Sequence, residues 1–231
     1  MQSIYQDGSY LDHYPTWHAE ESPWKARQVL EILEQHRIHP NSLAEVGCGA
    51  GEVLRNLRSA LPTCGFAGFD ISPDAIQMAQ SRVSGDERIR FVLGDICETS
   101  DQFDLLLALD VVEHVEDCFE FLRNIKGIAK TKILHIPLDM SVENLLRNGV
   151  DLSRKALGHL HYFCAESVLG LMEETGYKVI GWRYTKAYKG NPGHQAFAHR
   201  VMGMTRDLWS SVAPSSAALI LGGFSILVLA E

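Results

Sequence analysis

The sequence predicts an α/β fold in which helices cover both faces of a mostly parallel sheet. Short apolar runs alternate with helical patterns through five successive units, as expected when helices connect parallel strands. The run FDLLLALDVV at 103–112 is almost continuously apolar, which is typical of a strand buried on both sides. Another apolar run, Leu43–Val46, is followed by a glycine turn that leads directly into a helical pattern.

The predicted elements follow one another along the whole chain. The first helix starts at Pro23 and ends before His39-Pro40-Asn41. Ser72 is predicted to cap a later helix that has Pro73 at its first position. The remaining helices are predicted at 52–60, 117–129 and 165–176, and the strands at 43–46, 65–71, 88–95, 103–112, 131–138, 177–185 and 224–230. The stretch Ala217–Ala230 is too short and too interrupted by glycine for a membrane span, which needs about 20 apolar residues. It is interpreted as a buried strand with a glycine-containing approach.

Length, charge and cysteine content narrow the class of protein. The 231 residues fit a single domain, with a net charge of −8 at pH 7 that disfavours a nucleic-acid partner. The five cysteines form no CxxC pair, as expected for reduced thiols in the cytoplasm. No signal pattern or membrane span is apparent, so we expect a cytoplasmic protein that is a monomer or a homodimer.

The strongest local motif is EVGCGAG at 45–51, at the junction between the first strand and its helix. Glycines at such a junction allow a tight turn and let a ligand approach the backbone. A dinucleotide site has the spacing GxGxxG, but here the last position is Glu52, whose carboxylate would repel a pyrophosphate. The motif therefore favours a ligand without phosphate and opposes a nicotinamide-dependent oxidoreductase.

Three aspartates follow successive strands, at the sheet edge where open α/β sheets bind ligands. Asp70 can accept hydrogen bonds from two ribose hydroxyls, or it can form an Asx turn before Pro73. Asp95 and the Ile96 amide suit an adenine ring, although a simple strand-ending turn also explains them. Asp110 begins the sequence DVVEHVED after the fourth strand.

Taken in order, EVGCGAG, FD, GDI and LDVVEHVED resemble the motifs of class I methyltransferases that depend on S-adenosylmethionine (SAM). The resemblance is nearest to the small-molecule group that includes the ubiquinone-biosynthesis O-methyltransferases. It implies a doubly wound, seven-stranded Rossmann-like sheet with SAM as cofactor and S-adenosylhomocysteine as product. It also implies an N-terminal lid or helical segment at 1–40, a SAM-binding core at 41–138 and substrate-side insertions at 139–165 and 186–216. The implied cofactor-binding residues are Glu45, Gly47, Cys48, Gly49, Gly51, Asp70, Ile71, Asp95, Ile96, Leu109 and Asp110.

The acceptor side of the site is predicted less directly. His114 is the candidate base, because it follows the fourth strand and its ordinary pKa suits the task; packing at a helix start is the alternative. Candidate substrate contacts, with ordinary loop or edge packing as their alternative, are Tyr10, Tyr14, Trp17, His159, His161 and Tyr162. The HxH spacing can suggest a metal, but no carboxylates at ligand spacing accompany it, so no metal is expected.

These features predict an enzyme that transfers a methyl group to an oxygen or nitrogen atom of a small molecule. Three alternatives stay open: a SAM-binding protein without transfer activity, an oxidoreductase that uses NAD, and a methyltransferase with a macromolecular acceptor.

Overall fold

A computed structural model describes residues 16, 17, 19–83, 85–190 and 197–231 of the protein. Seven strands form one sheet in the order β3-β2-β1-β4-β5-β7-β6. The pairs β1–β2, β1–β4 and β2–β3 are parallel, whereas β6 and β7 are antiparallel. This topology confirms the predicted fold class, a mostly parallel seven-stranded sheet.

The chain divides into two compact units, the first of which contains the residues up to Leu109 together with Arg123–Ile133 and Glu231. Each of its four strands leads into a loop of the predicted cofactor site. They are β1 (Ser42–Val46), β2 (Gly65–Asp70), β3 (Ile89–Leu93) and β4 (Phe103–Leu109). Its α-helices are α1 (Ser22–His36), α2 (Glu52–Ala60) and α3 (Pro73–Arg82), with 3₁₀ turns at Ala19–Glu21 and Ile96–Glu98.

The second unit contains Asp110–Leu122 and Leu134–Ala230. Strand β5 (Ala129–Pro137) contributes its last residues to this unit, which also holds β6 (Val179–Thr185) and β7 (Ser225–Ala230). The helices from here to the C-terminus are α4 (Cys118–Ile125), α5 (Val142–Leu146), α6 (Gly149–Leu152), α7 (Ala165–Glu174), α8 (Phe197–Val212) and α9 (Pro214–Leu221). Short 3₁₀ turns lie at Val112–His114 and Ala187–Lys189, and a π-helical turn at Ser153–Leu157.

Local sequence signals predicted the starts of α2 and α3 correctly, but the interpretation of one apolar stretch was wrong. Helix α2 has the predicted bounds, and Ser72 caps α3 by accepting a hydrogen bond from the Ala75 amide at 3.4 Å. The interpretation of Ala217–Ala230 as one strand with its approach was wrong for its first part, because residues 217–221 finish α9. Pro214 starts that helix and Gly222, at φ 58°, follows its end, so only Ser225–Ala230 form the strand.

Within the described ranges, no helix has both the length and the apolar character needed to cross a bilayer.

Candidate functional site

The glycine loop after β1 has a backbone that requires its glycines. Gly47, Gly49 and Gly51 have φ of 66°, 50° and 74°, in the left-handed region that side chains disfavour. A Cβ at Gly51 would also lie 2.4 Å from Phe91 Cζ, so the loop packs against β3 with no room for a methyl group. Trp17 lies over the loop, since a Cβ on Gly49 would sit 3.6 Å from its Cε3. The motif thus forms a tight, glycine-rich turn at the start of α2.

Asp70, at the end of β2, ties this loop to the start of α3. One carboxylate oxygen accepts a hydrogen bond from the Gly49 amide at 2.8 Å, and the other accepts one from the Ser72 amide at 2.9 Å. Burial raises the pKa of Asp70, while these amide bonds act in the opposite direction. The bond to Ser72 is the Asx-type geometry considered from the sequence. A carboxylate has about four acceptor positions, so both amide bonds leave capacity for ligand hydroxyls.

Glu45 places a carboxyl group inside the first unit, below the glycine loop. Its side chain is buried, and its Oε2 has no hydrogen-bond partner among the residues that the structure describes. Burial raises the pKa of Glu45 to about 8, against the attraction of Lys25. Burial also raises the pKa of the neighbouring Cys48 thiol, which therefore stays protonated. A buried carboxyl oxygen without a partner is a group that a ligand donor can satisfy.

The other predicted cofactor residues of the first unit lie at strand ends. Asp95 is exposed and caps the following 3₁₀ turn, with its Oδ1 accepting from the Cys97 amide at 2.9 Å. Ile96 and Leu109 are buried, and Ile71 is partly exposed between β2 and α3. Trp17 is described above, whereas Tyr10 and Tyr14 lie outside the described residues.

In the second unit, Asp110 is linked by polar contacts to the buried side chains of His135 and Thr185. It has a φ of 56°, and its backbone amide donates to the carbonyl of His135 at 2.8 Å. Its carboxylate lies 2.6 Å from His135 Nδ1, and His135 Nε2 lies 2.8 Å from Thr185 Oγ1. These contacts fix the direction of the Asp110 side chain.

A second polar cluster, which we call the histidine cluster, consists of Glu113, His114 and His159. Each offers one ligand-type atom, and these atoms lie within 4.8 Å of one another. Glu113 and His159 are buried, whereas the His114 side chain is 20% exposed. Asp139 lies beside the cluster, and its Oδ2 is 2.6 Å from His159 Nδ1.

The loop residues next to His159 make polar contacts with backbone carbonyl groups. His161 Nε2 lies 2.9 Å from the Val115 carbonyl oxygen, and the Tyr162 hydroxyl donates to the His159 carbonyl at 3.1 Å. These contacts match the loop alternative considered from the sequence. A role of either residue in acceptor binding stays a prediction.

A family comparison identifies the chain. The sequence model of a methyltransferase domain family matches residues 17–181, which is more than half of the chain. The chain belongs to this methyltransferase family. The match confirms the family resemblance of the ordered motifs. It also covers the glycine loop and the histidine cluster, and it ends within β6.

Individual methyltransferases are similar to parts of this one. The ubiquinone biosynthesis O-methyltransferase of Rickettsia bellii is 27% identical over 126 residues, which cover 47% of this chain and 49% of that protein. The norajmaline N-methyltransferase of Rauvolfia serpentina is 25% identical over 159 residues, covering 60% of this chain and 54% of that enzyme. The chain spans between 28% and 49% of the length of the first curated relatives it matches.

The whole chain shares its fold with a solved methyltransferase. The magnesium protoporphyrin IX methyltransferase from Synechocystis PCC 6803, solved with bound S-adenosylhomocysteine, superposes with a TM-score of 0.66 at 15% identity. The alignment covers 99% of this chain and 98% of that one.

Sequence reasoning missed three polar residues of the methyltransferase's second unit. Glu113 lies in the motif DVVEHVED, in which only Asp110 and His114 were predicted to have roles, and no role was predicted for His135 or Asp139 at the end of β5. The segment HIPLD at 135–139 carries two of them, with His135 in the buried part of β5 and Asp139 just after the strand ends. Polar residues that flank a buried strand at its carboxyl end were the available signal.

Proposed function

We propose that this chain is a SAM-dependent methyltransferase that acts on a small-molecule acceptor, at oxygen or nitrogen. The observation that carries the proposal is the first unit's glycine loop, whose backbone lies in the left-handed region that favours glycine and which follows the buried Glu45 carboxyl. The family match supports methyl transfer as the reaction class.

The residues present fit SAM as the cofactor. The unpartnered Oε2 of Glu45 suits an ammonium donor such as that of the methionine part of SAM. The three glycines of the loop suit a ligand that lies against the backbone, and Asp70 retains acceptor capacity for ribose hydroxyls. Asp95 and Ile96 would bind the adenine, with Ile71 beside it, and Leu109 and Asp110 would lie near the methionine end.

When bound, SAM supplies a methyl group that is already activated by its positively charged sulfur. The chain's own task is then to hold the acceptor in line and, for a hydroxyl acceptor, to remove a proton. His114 is our candidate for proton removal, because its Nε2 lies 3.9 Å from Glu113 Oε1 on a partly exposed ring. His159, His161, Tyr162 and the N-terminal aromatics Tyr10, Tyr14 and Trp17 are our candidates for contacts with the acceptor.

The choice between oxygen and nitrogen rests on the relatives. One similar enzyme is an O-methyltransferase and another is an N-methyltransferase, and both atoms are therefore included in the proposal.

Calorimetric titration with SAM, S-adenosylhomocysteine and NAD tests the cofactor. We expect saturable binding of the two adenosyl ligands and none of NAD. Asp70→Asn removes a charged acceptor and should weaken SAM binding by about 10- to 150-fold, corresponding to roughly 1.5–3 kcal/mol. The control Asp101→Asn changes an exposed aspartate that pairs with Arg90 and should leave the affinity unchanged.

Binding of NAD alone would contradict the proposal. SAM binding without methyl transfer, across a screen of hydroxyl and amine acceptors that uses radiolabelled SAM, would favour the alternative of a SAM-binding protein without transfer activity. Unchanged SAM affinity in Asp70→Asn would remove Asp70 from the site.

A further inference from the structure

The histidine cluster joins two segments that are distant in the sequence. Glu113 and His114 lie in the 3₁₀ turn Val112–His114, and His159 lies in the loop that precedes α7. The rings of His114 and His159 meet nearly at right angles, with centroids 4.8 Å apart and planes inclined by 82°. Their nitrogens and the Glu113 carboxylate therefore converge on one point.

Both imidazoles are held through the nitrogen that faces away from this point. His159 Nδ1 lies 2.6 Å from Asp139 Oδ2, and His114 Nδ1 lies 3.3 Å from the carbonyl oxygen of Gly158. Because these partners are acceptors, Nδ1 carries the hydrogen and the Nε2 lone pair is directed into the cluster. A carboxylate or backbone carbonyl behind Nδ1 is the usual support of a histidine that binds a metal.

The backbone also fixes the distance between the two segments. The carbonyl oxygen of Glu113 accepts hydrogen bonds from the amides of Leu160 at 2.7 Å and His161 at 3.1 Å. The ligand-type atoms are thus positioned before any ion binds, which lowers the ordering cost of binding.

The distances suit an ion after a small inward movement. Ligands about 2.0–2.1 Å from a tetrahedral zinc ion are roughly 3.4 Å apart. In the cluster, Glu113 Oε1 and His114 Nε2 are 3.9 Å apart, and all three ligand-type atoms lie within 4.8 Å of one another. Side-chain rotations that move these atoms by about an ångström would bring all three within bonding distance of one metal ion.

We propose that Glu113, His114 and His159 bind one divalent transition-metal ion of the zinc class, with Asp139 and the Gly158 carbonyl orienting the two imidazoles. Two imidazole nitrogens and one carboxylate match the ligand preferences of Zn²⁺ and Co²⁺, whereas Mg²⁺ prefers oxygen ligands throughout. The sequence-based expectation of no metal overlooked the carboxylate beside His114.

An ion with three protein ligands keeps an open coordination position. That position suits an oxygen of a hydroxylated acceptor, whose pKa a zinc-class ion would lower, and the bound ion would then replace His114 as the group that activates the acceptor. This role rests on the proposed function, but binding of the ion does not.

Metal binding to the chelator-stripped full chain tests the site. We expect one Zn²⁺ per chain in calorimetric titration, no competition from millimolar Mg²⁺, and a Co²⁺ absorption spectrum of four- or five-coordinate nitrogen and oxygen ligation. Glu113→Gln and His159→Ala should each weaken Zn²⁺ binding at least 100-fold. Asp139→Asn, which leaves all ligands in place, should weaken it about 10- to 100-fold. The control His39→Ala removes an exposed histidine of the first unit and should change nothing.

Three results would overturn the proposal: no saturable binding by the unmodified chain, unchanged binding in Glu113→Gln and His159→Ala, or cobalt spectra with thiolate charge-transfer bands. The spectra of the unmodified chain decide the question even where a variant does not fold. Titration of the same samples with SAM separates the two hypotheses. SAM binding without metal binding would overturn this inference alone, and metal binding without SAM binding would overturn the proposed function alone.

Discussion

Replacing Glu45 with glutamine tests how the first unit holds its buried carboxyl group. Burial raises the pKa of this group from 4.5 to about 8. As pH rises, the unfolded chain therefore loses this proton before the folded chain does. The folded state binds more protons over that range, so the free energy of unfolding falls between about pH 4.5 and 8.

The magnitude follows from the two pKa values. Between pH 5 and pH 8, proton linkage at this one group lowers the free energy of unfolding by roughly 3 to 4 kcal/mol, with a slope that approaches about 1.4 kcal/mol per pH unit. Glutamine has the same shape and no charge, so Glu45→Gln should lose this part of the pH dependence and be more stable than the parent chain at pH 8.

Urea denaturation of both proteins at pH 5, 6, 7 and 8 measures the effect. Glu87→Gln, which changes an exposed glutamate of the same unit, serves as the control and should keep the parent's pH dependence. If the parent and Glu45→Gln show the same dependence, the raised pKa is wrong, and with it the account of Glu45 as a carboxyl group held protonated by burial.

Two further predictions concern packing and turnover. A Cβ at Gly68 would lie 2.6 Å from Phe91 Cδ1 and 2.8 Å from Cys48 Sγ, so Gly68→Ala should lower the free energy of unfolding by about 1–3 kcal/mol in urea melts. The control is Gly170→Ala in α7, where an added Cβ would meet nothing within 4 Å, so this change should raise the free energy of unfolding by up to about 1 kcal/mol. Equal effects at both positions would refute the packing argument. His114→Ala should lower turnover on an identified acceptor at least tenfold and leave SAM affinity within about twofold, as measured by steady-state kinetics and calorimetry. Normal turnover would remove His114 from the role of base.

The first unit was predictable because its signals are local. The glycine loop, the start of α2 and the cap of α3 each show in residues within a few positions of one another, and backbone sterics favour glycine at φ 74°. The interpretation failed at Ala217–Leu221, where apolar residues suit a strand and a helix equally. There the starting proline and the tertiary packing decided the outcome.

The sequence by itself determined the order of strands and helices, the glycine loop with Glu45 below it, and the family to which the chain belongs. It could not reveal that Asp110 meets His135 or that Glu113 and His114 meet His159, because these partners are separated by 25 and about 45 residues. Only the tertiary structure brings them within hydrogen-bond or ligand distance. The physical reason is that a side chain's partner depends on sheet order and loop path, which local propensity does not encode.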